Sequence, residues 1–84
     1  MKIKLSPQVS DRVLEYSFEG EKITVNNDIT IDFSTMPDGI MTESEYDFLL
    51  SAKKENGILF VELLNPITEN ENRQEILFPK WQEV

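Results

Sequence analysis

The chain contains no cysteine and no histidine. Without cysteine there is no disulfide, no thiol nucleophile and no zinc–thiolate centre. Without histidine the chain lacks the side chain that titrates nearest neutral pH and the usual nitrogen ligand of transition metals. Glycine is scarce as well. Gly20, Gly39 and Gly57 each stand in a separate turn-like stretch, so neither a phosphate-binding loop nor a dinucleotide fingerprint can be assembled from them. Positive charge is in deficit: eight Lys and Arg against sixteen Asp and Glu give a formal net charge of −8. Such a surface repels nucleic-acid phosphates and anionic lipid headgroups, so neither is expected as a partner. The longest apolar run is residues 58–61, far short of the ~20 residues that span a bilayer. No run resembling a signal peptide follows Lys2 and Lys4, and the expected location is the cytoplasm.

What remains is 84 residues, enough for a single domain over 1–84 with one modest core. A chain of this size buries roughly 60–68% of its surface, and a partner subunit can complete such a core.

The apolar residues recur with a period of two. Ile3 and Leu5 alternate with Lys2, Lys4 and Ser6, the pattern of a short half-buried strand. Pro7 either ends it or places it at a sheet edge. Leu14, Tyr16 and Phe18 form the apolar face of a second strand. Gly20 then turns the chain into Ile23 and Val25, and Asn26-Asn27-Asp28 turns it again into Ile29, Ile31 and Phe33. This predicts a three-strand antiparallel meander. Pro37-Asp38-Gly39 marks a further turn, after which Ile40 and Met41 are expected to fold onto the core.

Residues 42–52 support two readings. Thr42 and Glu45 match a capping box, which would start a helix through Tyr46, Leu49, Leu50 and Lys53. Tyr46, Phe48 and Leu50 also alternate, and Asn56-Gly57 is a strong hairpin signal leading into residues 58–64. The hairpin is preferred, with room for a short helical turn at 42–46. The strand at 58–64 is apolar on both faces except at Glu62, so a central position or a partner on one face is expected. A polar, flexible loop is expected over 68–74, and Ile76, Leu77 and Phe78 return toward Trp81. The fold class is therefore mainly β: a small antiparallel sheet of hairpins or a meander.

Chemistry-bearing residues do not form a constellation. Asp28, Asp32 and Asp38 lack the spacing of a calcium loop, and Asp32 alternates with core-facing neighbours. Sixteen acids make chance carboxylate pairs, but nothing encloses a substrate between them. The serines have no activating histidine, and no spacing joins one to Lys53 or Lys54. No catalytic residue, metal or cofactor is expected. An acidic surface can imitate the phosphates of nucleic acid, but the acids here are spread through the turns, with basic residues at both ends. The residues pointing to function are those of a contact surface: Leu59, Val61 and Leu63 on the two-faced strand, and Phe78 and Trp81 near the end, which either staple the chain to its core or anchor a partner.

Several phrases read together carry a resemblance: Lys2-Ile3-Lys4-Leu5-Ser6-Pro7-Gln8, Ile23-Thr24-Val25-Asn26, Asp32-Phe33-Ser34-Thr35-Met36-Pro37-Asp38-Gly39, Leu63-Leu64-Asn65-Pro66 and Ile76-Leu77-Phe78-Pro79. In this order the chain resembles a group of small proteins encoded by tailed bacteriophages and prophages near their tail genes. Ile31 departs from the pattern, which carries an aromatic there. The resemblance implies a virion-associated or tail-assembly accessory role without catalysis. The partner would be a second copy, as a homodimer, or a tail component. The alternative expectation is a small acidic regulatory or inhibitory protein directed at a host protein.

Overall fold

The computed structural model describes residues 1–41 and 44–84. The elements in chain order are β1 (Lys2–Val9), β2 (Tyr16–Glu19), β3 (Lys22–Val25), β4 (Ile29–Asp32), β5 (Gly39–Ile40), β6 (Leu49–Glu55), β7 (Ile58–Ile67), α1 (Gln74–Leu77) and β8 (Gln82–Glu83). The fold is mainly β. A five-stranded sheet has the order β5-β6-β7-β1-β8, and a three-stranded sheet the order β2-β3-β4. Among the described residues no helix is long and apolar enough to cross a membrane.

The small sheet is the expected meander. Phe18, Ile23 and Ile31 lie side by side across it, as do Tyr16, Val25 and Ile29. Asn26 and Asn27 take φ values of 54° and 53° in the β3–β4 turn, a conformation asparagine tolerates better than most residues. The Asn26 side chain also ties down the segment before β2. Its Oδ1 accepts from Glu15 N at 2.7 Å, and its Nδ2 donates to Val13 O at 3.0 Å.

The large sheet is mixed rather than purely antiparallel. β1 runs parallel to β7, Ile3 beside Val61 and Leu5 beside Leu63. A parallel pair needs a long crossover, and residues 10–57, including the whole meander, supply it. Pro7 does not end β1; its edge placement is the alternative realised. Ser10 N donates to Ile67 O at 3.1 Å and Met1 O accepts from Val84 N at 3.0 Å, so even residues of β1 address β7 and odd residues the opposite flank. There β8 pairs only with Lys2 and Ile3, so no ladder bond is lost at Pro7. Pro66 follows the same logic. Leu64 N donates to Phe48 O at 2.8 Å, so the β6 flank is the one Pro66 faces, beyond the point where β6 has begun.

Residues 49–55 are a strand, joined to β7 through Asn56 and Gly57 at φ 52° and 77°. The helix alternative is not adopted there, and the expected capping turn at Thr42 lies outside the described residues. The short helix is α1 instead, and Gln74, expected in the polar loop, is its first residue. Met41 packs half-buried against the core, but Ile40 is 74% exposed. Ile40 pairs with Lys53 in β5–β6 and so shares its outward face.

The two sheets enclose one core. Ile23 and Val25 from the small sheet meet Leu59, Val61 and Leu63 from the large one, and these five are fully buried. Each contributes about 1.5–3 kcal/mol relative to exposure. Tyr16 closes one end of the core, and its hydroxyl donates to Leu64 O at 2.6 Å. Burial pushes its pKa up to about 12 from 10.0, with Arg12 opposing and Asp47 reinforcing the shift. The folded state thus holds the Tyr16 proton more tightly than the unfolded state. Its contribution is whole below pH 10 and is lost as the pH rises toward about 12. Urea melts across that window should show a steeper loss of stability for the wild type than for Tyr16→Phe. Parallel curves would show that the hydroxyl is not held.

Candidate protein interface

Leu59, Val61 and Leu63 all lie on the inner face of β7 and are fully buried in the single chain. They cannot be an exposed contact surface. The outer face of β7 is carried by Ile58, Phe60 and Glu62, whereas Leu64, next in the alternation, is itself buried. Ile58 is 46% exposed, while Phe60 and Glu62 are half-buried.

Register builds that outer face. Ile40 lies beside Lys53, Lys53 beside Phe60, and Phe60 beside Lys2, across β5, β6, β7 and β1. The next row is Ser51, Glu62 and Lys4. The Glu62 carboxylate accepts hydrogen bonds from Ser6 Oγ and, at 3.4 Å, from Ser51 Oγ. A carboxylate in the middle of the face is thereby satisfied by neighbouring hydroxyls.

The C-terminal segment adds the aromatics. Trp81 meets Phe60 edge to face, with ring centroids 5.5 Å apart, a favoured aromatic geometry. Lys4 Nζ lies 5.9 Å from the Trp81 ring and Lys53 Nζ 5.1 Å from the Phe60 ring, within cation–π range. Even so, Trp81 stays 42% exposed and Phe78 68% exposed. Both line one open groove of about 420 Å³, with Glu75, Lys80 and Gln82 around them. Phe78 and Trp81 are thus brought together, whereas the other three expected contact residues lie in the core.

The surface is also set apart by charge. Lys2, Lys4, Lys53 and Lys80 gather about Phe60 and Trp81, interspersed with Glu55, Glu62, Glu75 and Glu83. Lys53 pairs loosely with Glu55 at 3.9 Å, and Glu83 meets the Met1 amino group at 3.4 Å. In a chain of net −8 this face is close to neutral, so an approaching protein meets little repulsion there.

Within the Asp32–Gly39 phrase, Asp32, Phe33 and Asp38 each have a structural role. Asp32 accepts from Ser34 N at 2.9 Å, and that hydrogen bond holds its carboxyl below the usual range. Phe33 is buried, and its carbonyl accepts from Lys54 Nζ at 3.2 Å. The Asp38 carboxylate accepts from Asn56 N and Gly57 N at 3.1 and 3.2 Å, fastening the β6–β7 turn. An open groove of about 450 Å³ lies beside it, lined by Gly39, Ile40 and Lys53 among others, but the carboxylate is already engaged. Glu71, held down to about 2 by its hydrogen bonds with Arg73, likewise serves its own loop. Among the described residues no group of three or more carboxylates comes together to hold a metal.

Comparison with protein-family models, with curated proteins and with solved structures returns no match to this chain.

Proposed function

We propose that this chain is a non-enzymatic assembly protein that works by protein–protein contact, of the phage tail-accessory kind that its sequence resembles. It acts in the cytoplasm where such particles are built, or stays with the virion. The observation that carries this reading is the exposure of Phe78 and Trp81 in one groove, beside Phe60 and the lysines of a near-neutral face. Tryptophan and other large aromatics dominate the energetics of protein interfaces because they desolvate a large rigid surface at little entropic cost.

Trp81 is the only tryptophan in the chain, so its emission reports on this groove alone. Titrating the chain with purified bacteriophage tail proteins should shift the Trp81 emission toward shorter wavelength, for the one that binds, as the ring loses water. Phe78→Ala should weaken that binding by at least about tenfold, equivalent to ~1.4 kcal/mol. Its melting temperature should stay near that of the wild type, because Phe78 is not in the core. Binding that leaves the emission unmoved, or that survives Phe78→Ala and Trp81→Ala unchanged, would remove the groove from the function.

A further inference from the structure

The segment 74–84 lies along the outer edge of the five-stranded sheet through few contacts. β8 pairs with β1 only at Lys2 with Glu83 and Ile3 with Gln82. Trp81 meets Phe60 and Lys4, Val84 N donates to Met1 O, and Glu83 meets the Met1 amino group. α1 packs beside β1 yet buries no residue. The segment is tethered by residues 68–73, which are polar and mostly exposed. The contacts of Trp81, Gln82, Glu83 and Val84 are thus with Met1, Lys2, Ile3, Lys4 and Phe60. They depend on sequence, not on connectivity.

We propose that this edge receives the C-terminal segment of a second copy, two chains exchanging residues 74–84 reciprocally. The inference rests on reading the aromatic face as an interface and names its occupant. The complementarity is already visible, because the segment that fits the edge is this chain's own. Exchange costs no contact, since each copy recovers what it gives up, and the Phe78 groove, lined wholly by residues of the exchanged segment, is carried onto the partner with it. The partner then supplies Trp81 to each site. Opposing this is the long-range repulsion between two chains of net −8, which arises outside the near-neutral contact face. Screening that repulsion should favour exchange, so the dimer grows with added sodium chloride.

The absence of cysteine permits a direct test with Lys2→Cys combined with Glu83→Cys. The bond from Val84 N to Met1 O makes Lys2 and Glu83 a non-hydrogen-bonded cross-strand pair. Such pairs hold their Cα atoms ~4.5 Å apart, within reach of a disulfide. Neither side chain belongs to the core, and a melt of the reduced variant checks its fold. The variant is oxidised at concentrations up to about 1 mM, the range in which a short tether holds its own segment. The products are separated under denaturing, non-reducing conditions, with each single substitution measuring chance collision. The ratio of covalent dimer to closed monomer should rise about tenfold for each tenfold in concentration, by mass action. Closed monomer alone at every concentration overturns the exchange. A wild-type dimer in light scattering, with the disulfide still closing only within each chain, also overturns it while leaving the aromatic face as an interface. An exchange that proceeds while Phe78→Ala binds the tail protein normally would instead sink the tail-binding reading alone.

Discussion

Leu63→Ala is expected to destabilise the chain by about 3 kcal/mol, lowering the melting temperature by about 12–24 °C in a domain of this length. Leu63 lies in the middle of β7, between Leu5 of β1 and Leu49 of β6, and has no exposed surface. Truncation there loses the transfer energy of the removed carbons. It also leaves a cavity, because β1 pairs with β7 in continuous register and β6, though bulged between Leu49 and Ser51, is fixed to β7 on both sides of the bulge, so the surroundings relax only partly. A domain of 84 residues has only a few kcal/mol in reserve, so the variant should be partly unfolded at physiological temperature. Ile58→Ala, on the same strand but the outer face, should cost well under ~1 kcal/mol. Thermal and urea melts of the two variants check this. Similar losses would mean that the outer face of β7 is as well covered as the inner one.

That contrast bears on what was legible in the sequence. The meander could be read because Tyr16, Ile23, Val25, Ile29 and Ile31 alternate cleanly between turns whose residues favour positive φ. The β6–β7 hairpin could be read for the same reason at Asn56-Gly57. The facing of β7 was harder, because residues 58–64 are apolar on both faces and alternation then says nothing about which face is inside. One signal was present. Glu62 is in phase with Ile58 and Phe60, and a carboxylate in a small chain belongs on the solvent side. That phase puts Leu59, Val61 and Leu63 inward, as the structure does.

The parallel pairing of β1 with β7 left no local trace. A strand's own pattern records which face is buried, not which distant segment lies beside it. The candidate surface was half legible for that reason. Phe78 and Trp81 stood out as aromatics near the end of the chain. Their neighbours Phe60, Lys4 and Lys53 could be placed only once β1, β6 and β7 were side by side.

Lys54 is where packing and charge can be separated experimentally. It is the one charged residue buried among the described residues, on the inner face of β6 opposite Leu59. Its ammonium donates to Phe33 O at 3.2 Å and pairs with Glu21 at 3.3 Å. Phe33 N in turn donates to Glu21 O at 2.9 Å. Lys54 therefore fastens β6 of the large sheet to the end of the small one. Lys54→Ala removes the stem, opens a void, and leaves the Phe33 carbonyl without its charged donor. The expected cost is about 2–3 kcal/mol. It should not be larger, because the Glu21 carboxylate is one-third exposed and water can replace its partner. Lys54→Met restores the volume without the charge. Replacing an ion pair by a well-packed apolar side chain is often near neutral, so methionine should recover more than half of the alanine loss. A urea melt of the three chains decides it. Methionine as damaging as alanine would assign the stabilisation to the charge. Methionine near the wild type would show that the stem holds the sheets together and that the ammonium is there because this corner of the core borders water.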